Sequence, residues 1–169
     1  MNKIFSVPLL ICLAGCASKQ AGEQEARPAP VTEKSDIPIR PSIRENIRKA
    51  AAIPVNRIEG EGWRLLFDGK GLAGWRETQF AARGEVEVES GVIVLNLGDP
   101  FTGINYTNEV PKMNYQVALE AAPISGSDFF CGLTVPAGES HCSLIVGGWG
   151  GSLVGISSLD GMDAWGNET

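Results

Sequence analysis

One histidine, His141, serves all 169 residues, and the cations are few, 14 Lys and Arg against 20 Asp and Glu. A lone imidazole excludes a zinc site built from several histidines. Beyond Arg76 the only remaining cations are Arg83 and Lys112. Phosphate recognition needs clustered basic side chains, so nucleic acid is excluded as a partner. Aromatic residues make up only 7%. No apolar run is long enough to cross a bilayer as a helix. Neither a Gly-x-Ser-x-Gly elbow nor a phosphate loop occurs, which removes serine-hydrolase and nucleotide chemistry. What the chain has in quantity is glycine, 21 residues, with 43% hydrophobic content. That balance fits many turns between short strands.

The first residues read as an address. Lys3 supplies a positive start, Ile4–Leu13 is a short apolar run, and Leu13-Ala-Gly-Cys16 closes it. Small residues directly before a cysteine resemble the lipobox of bacterial lipoproteins, with Cys16 lipidated and residues 1–15 removed as a signal peptide. Ala17 follows the cysteine in place of Asp, which in such lipoproteins implies the outer membrane. The expected location is the cell envelope, with the domain in the periplasm or on the surface. Residues 16–57 then hold a tether rich in Pro, Glu and Ala that cannot bury enough surface to order itself. At its end Ser42-Ile-Arg-Glu45 matches a capping box, and Ile43, Ile47 and Ala50 share helical spacing. A short helix over Ile43–Ala52 is expected, either docked on the domain or loose.

Residues 58–169 carry the strand signals. Gly62–Phe67 reads as a strand before the Asp68-Gly69 turn. Glu85-Val-Glu-Val-Glu89 alternates strictly, which points Val86 and Val88 inward and the carboxylates outward. Ser90-Gly91 turns the chain back along Val92–Leu97 as a hairpin. Phe101–Thr107 and Tyr115–Ala121 read as further strands. The stretch 128–160 adds three apolar runs separated by Pro, Gly and Ser clusters. About eight strands at roughly ten-residue spacing suggest an all-β sandwich or barrel.

Within 128–160, four glycines surround Trp149 in Gly147-Gly-Trp-Gly-Gly151. The ring is either a core residue in a wide turn or an aromatic platform suited to a sugar face. Centring the preceding hairpin on Gly138 sets Val135 opposite His141 and Cys142 opposite Thr134. Cys131 and Cys142 then lie out of register on opposite faces, so free thiols are expected rather than a bridge.

Trp63-Arg-Leu-Leu-Phe-Asp-Gly-Lys-Gly-Leu-Ala-Gly-Trp75 resembles the opening signature of the 3-keto-disaccharide hydrolase domain family (DUF1080). Val86–Ile93 is similar to that family's hairpin. Asp128–Thr134 and Ile145–Gly151 resemble a subgroup of it. The resemblance spans 62–169 and implies a concanavalin/LamG-like antiparallel β-sandwich (jelly roll) with sugars on the concave face. Two departures stand out. Ser125-Gly-Ser-Asp128 leads into Phe129–Thr134 without the arginine that many members carry, and members continue through further strands. The sandwich is therefore expected to be truncated at its C-terminal side.

The resemblance also implies activity on 3-keto glycosides. A C3 ketone acidifies the C2 proton, so a base can remove it, the C1–O bond can break, and water can add later. That chemistry needs a base, an acid for the leaving oxygen, and donors for the enolate. The candidate catalytic residues are Asp128, Glu109 and His141, and Asp128 leads because it enters a strand beside Phe129 and Phe130. Candidate sugar contacts are Trp149, Trp75, Asp160, Asn167 and Glu168. Each carboxylate taken alone also suits an ordinary solvated turn. No cofactor is evident. Asp160, Asp163, Asn167 and Glu168 offer oxygen ligands for a divalent cation, yet their spacing fits no known loop. The leading expectation is an envelope hydrolase or lyase of keto-sugar glycosides. A non-catalytic glycan-binding module is the alternative. An acid and base converging on one pocket would favour the first, and an open aromatic face without them the second.

Overall fold

Strict alternation and the Ser90-Gly91 turn produce the best-defined part of the molecule, the hairpin of strands β4 (Val86–Glu89) and β5 (Val92–Leu95). Ser90 and Gly91 both take left-handed backbone angles, as a two-residue hairpin turn requires. Val86 pairs with Leu95 and Val88 with Ile93, so these four share one face. They join Phe67 and Cys131 in the main core, against which Trp75, Leu119, Phe130 and Val146 also pack.

The other face of β5 is buried too, which is why its sequence Val-Ile-Val-Leu is a continuous apolar run rather than an alternating one. Helix α1 (Pro41–Ala51) lies over it, with Ile47 against Val94 and with Ile43 and Ala50 alongside. Ile93 and Val94 are fully buried, and each contributes about 1.5–3 kcal/mol by leaving water. Arg44 and Arg48 reach across to the Glu89 carboxylate at 3.4 and 3.9 Å. The helix is therefore docked, not loose.

The computed structural model describes residues 3–11, 41–56, 59–99 and 101–169. Its remaining strands are β1 (Lys3–Ile11), β2 (Trp63–Leu65), β3 (Trp75–Glu77), β6 (Ile104–Tyr106), β7 (Tyr115–Glu120), β8 (Cys131–Ala137), β9 (Ser140–Gly147) and β10 (Leu153–Ser157). A short turn, α2 (Gly148–Gly151), separates the last two. The protein is mostly β, as expected. Strands β8, β9 and β10 form one antiparallel sheet in the order β10-β9-β8, and β3 pairs antiparallel with β6.

The largest sheet holds something the sequence reading did not anticipate. Residues read as a disposable leader form β1, which runs parallel to β2, β5 and β7 and joins them. Cys16 and the tether up to residue 40 lie outside the described residues. The sequence is blind here because an apolar run of nine residues fits a leader and a buried strand equally well.

Turn chemistry explains two further details. The Asp68 carboxylate accepts the backbone N–H groups of Lys70 at 2.8 Å and Gly71 at 3.3 Å. The Lys70 amide is the largest cause holding its pKa below the ordinary aspartate value. A folded pKa that is depressed stabilises the turn above the unfolded value and loses that effect as pH falls through the folded one. In the β8–β9 hairpin the turn holds two residues, Gly138 and Glu139, because Ala137 pairs with Ser140. Gly138 supplies the positive φ of 64°. The expected register is thus corrected by one residue, and Cys142 faces Val135, not Thr134.

That shift puts Cys131 and Cys142 on the same face rather than on opposite ones. Cys142 still lies four residues along β8 from Cys131, which is roughly 14 Å at about 3.4 Å per residue. A disulfide reaches no more than about 7 Å between Cα atoms, and both thiols are free. Burial pushes the Cys131 thiol up from its ordinary pKa, which keeps it protonated and unreactive. In the folded protein iodoacetamide should therefore modify Cys142 well before Cys131, and after unfolding without reductant it should modify both. Mass mapping that finds residues 131 and 142 joined, or Cys131 reacting first, would contradict the register.

Candidate functional site

Five aromatic rings run in an unbroken row across one side of the molecule. Phe80 meets Phe101 with centroids 6.1 Å apart, Phe101 meets Phe129 at 5.8 Å, and Phe129 meets Trp149 at 4.9 Å. Trp149 then meets Trp165 at 6.4 Å, their planes 35° apart. The last pair is the open end: Trp149 is 40% exposed and Trp165 67%.

Local sequence holds these rings in place at some conformational cost. Trp149 sits at φ 46°, ψ 63° and Phe129 at φ 30°, left-handed values that bulky residues avoid. Each such residue costs on the order of 1–3 kcal/mol and persists only where its surroundings impose it. Here the Asp128 carboxylate supplies the constraint. Its Oδ1 accepts the Phe129 N–H and the Gly150 N–H, both at 2.9 Å, and so ties the two ring-bearing turns together. The Phe129 N–H also reaches the Gly147 carbonyl. Glycine is required at 151, where a Cβ would stand 2.5 Å from the Ser127 carbonyl oxygen. A second acidic turn presents Trp165: Asp163 Oδ1 accepts the N–H groups of Trp165 at 3.1 Å and Gly166 at 2.9 Å.

Two exposed tryptophans with planes tilted by 35°, beside backbone amides in glycine-rich turns, make a surface suited to the apolar face of a sugar ring. Of the sequence-predicted residues, Asp128 and Trp149 belong to this row. The others are not members of the ring row. Trp75 packs against the main core, donates its indole N–H to the Leu66 carbonyl at 2.8 Å, and meets Tyr106 edge-on at 5.0 Å. Glu109 is exposed, and its backbone carbonyl accepts from the Arg64 guanidinium at 2.8 Å. His141 is exposed opposite Pro136, near the hairpin turn. Six residues of β9 separate it from Gly147, roughly 20 Å at strand rise.

Asp160 occupies a tight exposed turn between Leu159 and Met162 with φ 50°. Asn167 donates to the Ile156 carbonyl at 2.7 Å and accepts from Thr169, which ties this segment to β10. Glu168 beside it is exposed. Among the described residues, no group of three or more His, Cys, Asp or Glu is placed to hold a metal ion.

No family model, curated protein or solved structure matches the chain.

The sequence reading missed Trp165, Phe101 and Phe80 as members of the row. Trp165 did carry a signal. Asp163-Ala-Trp-Gly166 has the acidic turn residue and the glycine that also frame Trp149. Phe80 and Phe101 carried none, because their meeting depends on the long-range placement of two loops. Asp128→Ala should release Gly150 and Phe129 together and cost about 1 kcal/mol. The Gly150 amide should then exchange with solvent at least severalfold faster, and the tryptophan emission should shift to the red. Unchanged exchange would mean that the glycine frame holds Trp149 without the carboxylate.

Proposed function

We propose that this chain is a carbohydrate-directed domain of the cell envelope that binds a glycan along the row ending in Trp149 and Trp165. The observation that carries the reading is the pair of exposed indoles, 6.4 Å apart and 35° from coplanar, with Trp149 on a left-handed turn that displays it. Stacking on the C–H face of a sugar needs no charge and tolerates many sugars, so the row defines a ligand class rather than one ligand. The proposed fold is the concanavalin-like sandwich that the Trp63–Trp75 motif implies, and the all-β, largely antiparallel architecture supports it.

Cleavage of 3-keto glycosides is the second reading. One observation favours it: Asp128 stands inside the aromatic row, where a bound sugar would meet it. Against it, Oδ1 of Asp128 is engaged by two backbone amides, and His141 stands roughly 20 Å along β9 from the turn that Asp128 clamps. Binding is therefore the function that the geometry supports best.

Titration of the full chain with oligosaccharides, unoxidised and 3-keto, should give saturable quenching of tryptophan emission. Trp149→Ala or Trp165→Ala should weaken binding about fivefold, since one ring-stacking contact is worth about 1 kcal/mol. Release of free sugar from the 3-keto substrate alone, lost in Asp128→Asn, would make the enzyme reading the correct one. No binding of either sugar class would remove the carbohydrate assignment. The envelope location has its own check. Cys16→Ala should abolish fatty-acid labelling and leave unprocessed precursor, and a labelled variant that still fractionates with the outer membrane would overturn the anchor.

A further inference from the structure

The two turns that carry the open indoles are built alike. In one, Oδ1 of Asp128 accepts the Phe129 and Gly150 N–H groups, the second of them next in the chain to Trp149. In the other, Oδ1 of Asp163 accepts the Trp165 and Gly166 N–H groups. Each indole therefore rises from a turn with a carboxylate at its foot, and in both turns Oδ2 takes no part in the clamp. Neutral amides hold the oxygen but supply no counter-charge. Among the described residues the ion pairs join Arg44 and Arg48 to Glu89, Lys49 to Glu45, Arg83 to Glu77 and Lys112 to Glu139. Neither Asp128 nor Asp163 has a cationic partner among them.

The segment that bears both indoles carries charge of one sign. From Met113 to Thr169 the chain holds Glu120, Asp128, Glu139, Asp160, Asp163 and Glu168, and no lysine or arginine. The face of an indole is itself negative, because its quadrupole places electron density above the ring. Trp149 and Trp165 thus combine two exposed electron-rich faces with two carboxylates that no cation neutralises. A neutral sugar uses the rings and leaves both carboxylates idle. An anionic sugar, such as a uronate or a sulfate ester, meets only like charge. A protonated amine uses the rings through cation–π attraction and the carboxylates through charge-assisted hydrogen bonds.

We infer that the glycan taken by the indole pair carries free amino groups, whose ammonium ions are held by the faces of Trp149 and Trp165 and by the carboxylates of Asp128 and Asp163. The inference rests on the carbohydrate reading of the row and narrows it to cationic amino sugars, with uronates and sulfated glycans rejected. Both indoles stand at the surface, so the gain over a neutral sugar of the same linkage is modest, about tenfold at low salt. That gain is electrostatic and falls as added salt screens the carboxylates.

The test titrates the full chain, read by tryptophan quenching, with β-1,4-linked tetrasaccharides of glucose, N-acetylglucosamine, glucosamine and glucuronate. These differ in the charge they carry and share one linkage. The glucosamine oligomer is expected to bind about tenfold tighter than the glucose and N-acetylglucosamine oligomers at low salt, and to lose that lead as salt is raised. The glucuronate oligomer is expected not to bind. Asp163→Asn keeps an oxygen for the Trp165 and Gly166 amides and removes the charge. It should weaken the glucosamine oligomer severalfold more than the glucose oligomer, and Asp128→Asn should do the same. Equal affinities of wild type for the glucosamine and glucose oligomers, or glucuronate bound as tightly as glucosamine, would overturn the amine assignment and leave the carbohydrate reading intact. A glucosamine preference unchanged in both variants would mean attraction to the net negative chain alone, which overturns the assignment equally. Binding of none of the four would remove the carbohydrate reading, and this inference with it.

Discussion

The ladder made by β1 holds the largest sheet together. Strands β2 and β7 pair with nothing else among the described residues, and β5 reaches them only through Leu9, Leu10 and Ile11. Without a strand in that place, two rows of backbone N–H and C=O groups would be left without partners. Each buried backbone group left unpaired costs about 1–3 kcal/mol, against a whole-domain stability of roughly 5–15 kcal/mol. A few such losses would offset the burial of Ile93 and Val94 altogether.

The elements that were legible in sequence are those set by local pattern. The hairpin of β4 and β5 is set by a strict alternation and a Ser-Gly turn, both local. Helix α1 is set by apolar spacing and by the proline that opens it, and its boundaries came within two residues of those expected. What local pattern does not set is pairing. The role of β1, the one-residue shift in the β8–β9 hairpin, and the burial of Val94 under α1 all depend on contacts between distant segments. In the hairpin, the choice between a turn centred on Gly138 and a two-residue turn at Gly138-Glu139 moved every partner by one and brought the two cysteines to one face. Their separation along the strand was wide enough that the conclusion of free thiols survived the correction.

The candidate site divides in the same way. Trp149 could be singled out because four glycines surround it, and Asp128 because it enters a strand beside two phenylalanines. Their connection could not be read, since it consists of one hydrogen bond from the Gly150 amide to a carboxylate 22 residues earlier. Trp75 illustrates the opposite error. It sits in an equally glycine-rich segment, but its indole N–H satisfies the Leu66 carbonyl and its ring packs against the core. A tryptophan among glycines is therefore a question about which side of the turn is covered, and sequence alone does not answer it.

Distance bears on the two chemistries proposed for the aromatic row. Cleavage of a keto glycoside needs proton transfers at C2 and at the leaving oxygen, two positions on one sugar ring. A base and an acid acting there must each come within about 3 Å of their proton. His141 stands roughly 20 Å along β9 from the turn that Asp128 clamps, and Glu109 is an exposed residue whose backbone carbonyl accepts from Arg64. No loop adjustment brings a strand residue across that span without unpairing β8 from β9. Asp128, meanwhile, has a constraining task that explains its position: one oxygen holds two left-handed turns against their own strain. A carboxylate that maintains a platform and a carboxylate that abstracts a proton call for different surroundings, and those around Asp128 are the surroundings of the first.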